Sequence, residues 1–273
     1  MRISVVTVNF NMSDFLEDTI LSVIRNLSDG DEYFIIDGGS TDSSLKIIDK
    51  YEKKITKWVS EKDDGYADAL AKGFNFATGD ILCWINSGDL FLSGAFPEVK
   101  KLFSEINTNF IFGDDFYINE NNKIIQHTSG YSKNLRSAML YGGWTPLQDA
   151  CFWKRNAYEE IGGIDPTLKY AADYDLFLKL SLHGKHQYIP KTFSAFRKHN
   201  NQKSIMGKNL YLLERENCRS RELESNTQGV LVDTLQRFYH LNICRFRSRL
   251  YPYVNRKRNL EGNLVTNYPC SSY

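Results

Sequence analysis

The chain has 273 residues, of which 42% are hydrophobic and 25% charged, with a formal net charge of +1. This is the composition of a soluble globular protein with one large domain, or one domain plus an appendage, and the balanced charge points to no class of partner. Five cysteines, at 83, 151, 218, 244 and 270, form no CxxC pair, which argues against a zinc site and a disulfide framework and fits a reducing compartment.

Arg2 to Val8 is a short β-branched run and reads as a buried strand ended by Asn9-Phe10-Asn11. This apolar start has no small-residue cleavage site, so it does not read as a signal peptide. No apolar run approaches the roughly 18 residues of a membrane span. Ser13 or Asp14 can cap a helix through Asn26, with Phe15, Leu16, Thr19, Ile20, Val23 and Ile24 on its apolar face. Asp31 to Ile36 is a second strand, followed by Asp37-Gly-Gly-Ser-Thr-Asp42 and a helix from Ser43. Ile55 to Ser60 is a third strand, and Asp63-Asp64-Gly65 turns into a helix over Tyr66 to Ala77. Ile81 to Ile85 is a fourth strand, with Asn86-Ser-Gly-Asp89 at its end.

Strand–helix alternation at this spacing predicts a parallel sheet with helices on both faces. In such sheets ligands bind beyond the carboxyl ends of the strands. Asn9 and Asn11, Asp37, Asp63 and Asp89 all fall there, so a shared site at that edge is expected.

After Asp89 the order changes. Leu90 to Glu105 reads as helix, Phe110 to Asp114 as strand, and Asp115 to Ser129 as a hairpin through Asn119-Glu-Asn-Asn122. Leu147 to Trp153 is extended, and Asn156 to Ile161 is a short helix ended by Gly162-Gly163. Tyr170-Ala-Ala-Asp173-Tyr-Asp175 heads a buried helix carrying Leu176, Phe177, Leu178, Leu180 and Leu182. A carboxylate there is held near the positive end of the helix dipole, which suits a base and equally suits a cap. Short strands over Lys185 to Phe196 and a polar loop over Arg197 to Ser204 follow. From Asn209 the composition turns helical, placing a boundary near 205: a domain over 1–205 and a helical, basic and aromatic extension over 206–273.

Ser4-Val-Val-Thr-Val-Asn-Phe-Asn11, Ile36-Asp-Gly-Gly-Ser-Thr-Asp42, Ser60-Glu-Lys-Asp-Asp-Gly65 and Thr78 to Asp89 resemble, in order and spacing, the family 2 glycosyltransferases. Gln148-Asp-Ala-Cys-Phe-Trp153, Gly162-Gly-Ile-Asp165, Ala172-Asp-Tyr-Asp175 and Phe196-Arg-Lys-His199 extend the resemblance, which covers roughly residues 3 to 205. It implies a GT-A fold, Rossmann-like and α/β, in agreement with the alternation. No GxGxxG follows the first strand, which disfavours a dinucleotide dehydrogenase.

The resemblance implies a role for each motif. Val8 and Phe10 line the nucleotide site, with Phe10 stacking on the base; the other reading of Phe10 is a core residue at a strand end. The Asp37 carboxylate receives the N3–H of a uracil-like base, which leaves UDP and dTDP sugars open; alternatively it caps a turn. Lys62, Asp63 and Asp68 lie beside the nucleotide and ribose, although Lys62 and Asp63 also read as solvated loop charges. Relatives carry Ala-x-Asn-x-Gly where this chain has Ala69-Leu-Ala-Lys-Gly73, so one polar contact is missing. Asn86-Ser-Gly-Asp89 occupies the metal motif: Asp89 is the implied ligand of Mn²⁺ or Mg²⁺, Asn86 is a neutral variant beside the diphosphate, and Gly88 replaces a carboxylate. His199 completes the metal shell or contacts the diphosphate, and Arg197 or Lys198 balances phosphate charge; a solvated basic loop is the bland alternative. Asp173 is the implied base, deprotonating an acceptor hydroxyl as it attacks the anomeric carbon with inversion, and Asp175 supports it or caps the helix. Trp144 and Gln148 face the acceptor, Trp144 as a sugar platform or as part of a packed loop.

From Arg237 to Arg258 seven Lys or Arg occur without an Asp or Glu, interleaved with aromatics. No recognised nucleic-acid motif accompanies them. The pattern suits peripheral contact with an anionic membrane face or a helix with a solvated basic side. The sequence therefore predicts a cytoplasmic inverting glycosyltransferase, stationed in part at the inner face of the membrane. It would move a sugar from a UDP- or dTDP-sugar to a saccharide or lipid-linked saccharide, in bacterial surface polysaccharide or lipopolysaccharide assembly. The rivals are a non-catalytic nucleotide-sugar-binding relative, motivated by Gly88 and Ala71, and a nucleic-acid binder acting through the tail.

Overall fold

A computed structural model describes residues 1–132, 134–199, 207–225, 263–265 and 268–270. The expected alternation forms. β1 (Ile3–Asn9), α1 (Ser13–Ile24), β2 (Glu32–Asp37), α2 (Ser44–Lys50), β3 (Lys57–Ser60), α3 (Tyr66–Phe76) and β4 (Ile81–Asn86) follow one another, with β1 parallel to both β2 and β4 and β3 parallel to β2. Because strand side chains alternate between faces, Val6, Phe34, Ile36 and Trp84 enter one apolar layer, and Val5, Tyr33, Ile35 and Cys83 enter the other.

The second half completes the sheet with β5 (Leu90–Phe91), α4 (Ala95–Glu105), β6 (Phe110–Ile118), β7 (Ile124–Thr128), α5 (Leu135–Gly142), β8 (Cys151–Lys154), α6 (Arg155–Glu160), α7 (Ala172–His183) and β9 (His186–Arg197). The strand order is β3-β2-β1-β4-β8-β6-β9-β5, with β7 on β6. The sheet is parallel on one side and mixed on the other: β8 runs antiparallel to β4 and β6, whereas β9 runs parallel to β6.

Three elements differ from the sequence reading. The helix expected over Leu90 to Glu105 is split, because Leu90 and Phe91 pair with β9 and the left-handed Gly94 (φ +83°) lies just before α4. α5 was not anticipated; Asn134 caps it, accepting from the Ser137 N–H. The short strands expected before the basic loop are one strand of 12 residues. The tail over 237–258 lies outside the described residues. Among the described residues no helix is long and apolar enough to cross a membrane.

α7 is anchored by an aromatic sandwich. Phe177 stacks between Trp84 (centroids 5.5 Å, 11°) and Phe110 (5.5 Å, 12°). It lies one turn after Asp173, so this packing fixes the height and rotation of the helix end that carries that carboxylate. The following α8 (Lys208–Ser225) packs against α7.

Candidate active site

The registry of the parallel strands puts four ends in line: Asn9 is opposite Asp37, Asp37 opposite Ser60, and Val8 opposite Asn86. The Val8 carbonyl accepts from the Ser87 N–H at 3.1 Å, tying the end of β1 to the loop after β4. Phe10, immediately past β1, is 61% exposed, which removes the reading of it as a core residue and leaves a flat apolar face at the strand ends. Gly38 lies beside it: a Cβ there would stand 3.4 Å from the Phe10 ring and 2.7 Å from Asp63 Oδ2. Phe10 and the Asp63 carboxylate therefore flank one glycine.

Asp37 is fully buried. Its Oδ1 accepts from Asn9 Nδ2 (2.7 Å) and Ser40 Oγ (2.6 Å), and its Oδ2 from the N–H groups of Gly39 (3.1 Å) and Ser40 (2.9 Å) and from Ser60 Oγ (2.7 Å). Burial raises its pKa, but these donors outweigh burial and hold it below the ordinary carboxylate range. A carboxylate has about four lone-pair directions, so in this conformation Asp37 braces the turn. The carboxylate standing beside Phe10 is that of Asp63. Asp68 accepts from the Asp64 N–H (3.1 Å) and pairs with Lys72 (3.1 Å), so it staples the same loop to α3. Lys62 is exposed.

At the end of β4, Asn86 Nδ2 donates to Gln148 Oε1 (2.8 Å), and Gln148 Nε2 donates to the Trp84 carbonyl (3.0 Å). The Gln148 amide is thus bonded at both ends to β4 rather than presented to an acceptor. Trp144 is partly buried and meets Phe112 edge-on at 6.2 Å, so it belongs in part to the core.

Asp89 is 5% exposed and accepts from the Arg197 N–H at 2.9 Å. Arg197 itself is 1% exposed. Its guanidinium donates to the carbonyls of Gly88 (2.7 Å), Asn119 (3.3 Å) and Glu120 (3.1 Å) and to Asp18 (3.2 Å). This corrects the expectation that Arg197 balances phosphate charge: its donors hold the loop after β4 against β6 and α1. Lys198 is exposed, with its ammonium 3.9 Å from the centroid of the Tyr117 ring. His199 is partly buried beside the Phe15 ring at 5.7 Å, and burial lowers its pKa.

Behind Asp89 lie two carboxylates that carried no role in the sequence reading. Asp115 and Asp149 are buried, and both Asp115 oxygens and Asp149 Oδ2 lack hydrogen-bond partners. Burial, then the charge of Asp149, pushes Asp89 and Asp115 well above the ordinary range, and burial lifts Asp149 to about 6. Among the described residues no three His, Cys, Asp or Glu side chains converge to hold a metal. The donors available at the strand end are the Asp89 carboxylate and the buried Asn86 Oδ1, which is without a partner. One carboxylate and one amide oxygen, completed by substrate phosphates, suit Mg²⁺ or Mn²⁺.

Asp173 stands in the first turn of α7 and is partly exposed, with Oδ1 accepting from the Tyr174 N–H at 2.7 Å. Its pKa is raised to about 6, chiefly by burial, against that N–H bond and with a contribution from the Glu214 charge. The hydroxyls of Tyr66 and Tyr211 are pushed up by burial and by the Asp173 charge, which places both near the carboxylate. Burial and the charges of Asp149, Asp173 and Asp115 likewise raise the Cys151 thiol, so Asp173 and the cluster behind Asp89 are electrostatic neighbours of one residue. The Lys169 ammonium reaches the Asp64 carbonyl, joining the loop before α7 to the loop that carries Asp63. Asp175, expected to support Asp173, is fully buried and pairs with Lys179 (2.6 Å) and with Arg221.

A sequence profile described as glycosyl transferase family 2 matches residues 4–162. An uncharacterized glycosyltransferase of Mycobacterium tuberculosis is 30% identical over 193 residues, covering 66% of this chain and 69% of its own. A putative teichuronic acid biosynthesis glycosyltransferase, TuaG of Bacillus subtilis, is 29% identical over 113 residues, covering 40% of this chain and 45% of its own. Among solved structures, residues 1–349 of S. aureus TarS with UDP-GlcNAc match with a TM-score of 0.61 at 15% identity, covering 74% of this chain and 60% of that one. The mannosyltransferase PcManGT of Pyrobaculum calidifontis, with GDP-Man and Mn²⁺, matches with a TM-score of 0.62 at 15% identity, covering 81% and 64%. The chain thus spans less than two thirds of either solved chain, and these likenesses bear on the fold, which is GT-A.

Proposed function

The chain belongs to glycosyl transferase family 2 and is a glycosyltransferase, and from that premise we propose that it transfers a sugar with inversion from a nucleoside diphosphate sugar to an acceptor hydroxyl, with Asp173 as the base. The observation that carries the reading is the placement of Asp173. It is a partly exposed carboxylate at the head of a helix clamped by Phe177, with its pKa raised to about 6 by burial. Such a group is ionised at neutral pH yet more basic than a free aspartate, which suits it to take a proton from a hydroxyl.

In the proposed step the acceptor oxygen attacks the anomeric carbon and its proton passes to the Asp173 carboxylate. The bond from that carbon to the diphosphate oxygen breaks, and the nucleoside diphosphate leaves. A single displacement inverts the anomeric centre. The base lies on Phe10 and presents its N–H to Asp63, across Gly38, while Asp37 keeps the turn in shape. Uracil and thymine both offer that edge, so UDP- and dTDP-sugars are the proposed donors; TarS, which shares the fold, was solved with UDP-GlcNAc, and PcManGT with GDP-Man. Asp89 and the Asn86 amide oxygen would hold a divalent ion, which when bound neutralises diphosphate charge. A saccharide or lipid-linked saccharide is the proposed acceptor, in surface polysaccharide assembly, and the similarity to TuaG supports that setting.

The test is a thermal-shift screen of UDP-, dTDP- and GDP-sugars with and without Mn²⁺, because a ligand that binds only the folded state raises the melting temperature. A rise with a UDP- or dTDP-sugar that Mn²⁺ enlarges is expected. A response to GDP-sugars alone would overturn the assignment of the base to Phe10 and Asp63.

A further inference from the structure

The helix α8, which lies within the part of the chain that the sequence sets apart as an extension, packs against the element that carries Asp173. α8 lays one face on α7 and the loops around it. Tyr211, Glu214, Arg215, Cys218 and Arg219 follow helical spacing on that face, and Cys218 is 2% exposed within the core layer of α7. Glu214 makes the most concentrated contact. Its Oε1 accepts from the Lys169 N–H at 2.9 Å, and its Oε2 from the N–H groups of Tyr170 (2.7 Å) and Ala171 (2.6 Å). These three consecutive amides lead directly into α7, whose N-cap is Ala171 and whose second residue is Asp173. Ala171 carries only a methyl group, and the cap forms no side-chain hydrogen bond of its own. The carboxylate of a helix more than 40 residues downstream thus gathers the three amides that enter α7, up to its N-cap residue.

The same helix grips the other wall of the site. Arg215 Nη1 donates to the Gly143 carbonyl (2.9 Å) and Arg219 Nη1 to the Leu140 carbonyl (3.2 Å). Gly143 is left-handed (φ +63°), and a Cβ there would stand 3.1 Å from Arg215 Nη2, so the turn leading into Trp144 and the arginine are fitted to each other. Arg221 pairs with Asp175 and lies 3.9 Å from Asp165.

We infer that Glu214 is a positioning residue for the reaction: it fixes the turn Lys169–Ala171 and thereby the Asp173 carboxylate, and through α8 it holds that base in register with the Gly143–Trp144 turn. This rests on the reading of Asp173 as the base. Glu214 touches backbone amides, and it acts on the chemistry through the geometry and charge around Asp173. Small displacements of a reacting group lower turnover steeply, on the order of 100-fold for 1 Å.

The experiment compares full-length wild type, Glu214→Ala, Glu214→Gln and Asp173→Asn. Amide hydrogen exchange is followed across 165–175, and turnover of a panel of UDP- and dTDP-sugars is followed against pH. Glu214→Ala is expected to speed exchange at Lys169, Tyr170 and Ala171 roughly tenfold or more, the loss of about one hydrogen bond's protection per amide. It should lower kcat by a similar factor or more, with donor KM within about twofold. Glu214→Gln keeps an acceptor oxygen but loses the charge. It should recover part of kcat and move the acid limb of the pH profile to lower pH, because a negative neighbour of Asp173 is gone. Should Glu214→Ala fail to fold, the pH profile of Glu214→Gln decides alone. Wild-type exchange and kcat in Glu214→Ala, or an unmoved acid limb in Glu214→Gln, would overturn the inference while an inactive Asp173→Asn left the proposed function standing. Wild-type turnover by Asp173→Asn would remove the reading on which it rests.

Discussion

Replacing Asp149 with asparagine should stabilise the protein at neutral pH and do so less in acid. Asp149 is 2% exposed, and burial raises its pKa from 3.8 to about 6. A carboxyl whose folded pKa is raised binds a proton more tightly in the native than in the unfolded state. Between pH 4 and 6 the native state therefore carries the excess proton, and stability falls as pH rises through that window. Each pH unit is worth about 1.4 kcal/mol, and the window is about two units wide, so the ionised form costs about 3 kcal/mol above pH 6. Asparagine has nearly the same shape and does not titrate. The charge of Asp149 also raises Asp89 and Asp115, so its removal relieves those groups in the same direction. Urea denaturation of wild type and Asp149→Asn at pH 4 and pH 8 measures the effect, with the variant gaining about 3 kcal/mol more at pH 8 than at pH 4. Equal differences at the two pH values would refute the argument that burial of this carboxylate outweighs the hydrogen bonds that offset it.

Phe10→Ala should weaken nucleotide binding by about 1–3 kcal/mol, roughly 5- to 150-fold in Kd by isothermal titration with UDP, the magnitude of one base on an aromatic face. Phe10 is 61% exposed, so its melting temperature should stay near that of wild type; an unchanged Kd would remove the stacking role. Turnover should rise with pH along an acid limb near 6, the value to which burial lifts Asp173, because the base acts only when ionised; a limb near 4 would mean that the carboxyl is not desolvated. Gly73→Ala should cost about 1–3 kcal/mol in chemical denaturation, because the added Cβ would meet Val6 Cγ1 at 2.4 Å and Ile36 Cγ1 at 3.2 Å where α3 lies on β1 and β2. A neutral effect there would show that this layer yields more than its packing implies.

The parallel half of the fold was legible because β1, β2 and β4 are buried on both faces, and because these strands and the edge strand β3 each end in a polar turn. α5 escaped because its eight residues span barely two turns, too few to declare a helical period. β5 escaped because two residues pairing with a distant strand leave no local pattern. In the site, Phe10, Asp63, Asp89 and Asp173 lie where chain order put them. What the sequence could not convey is how each polar group is spent. Asp37 is consumed by five donors, three in its own turn and one each from Asn9 and Ser60 on the neighbouring strands, and Gln148 by Asn86 and the Trp84 carbonyl. Arg197 sits in a basic loop by sequence and in the interior by structure. Glu214 carried no signal, because a carboxylate that caps a turn 43 residues upstream has no motif.

Asp173 is the pivot of the proposed reaction, and donor binding and transfer by Asp173→Asn test its role most directly. The amide keeps the size of the carboxylate and its place on a helix fixed by Phe177, but it cannot take a proton. The expected result is a nucleotide-sugar Kd within about twofold of wild type and transfer reduced by 100-fold or more, the scale of general-base catalysis. Transfer at the wild-type rate with donor binding intact would contradict the account and return Asp173 to the role of a residue that merely heads a helix.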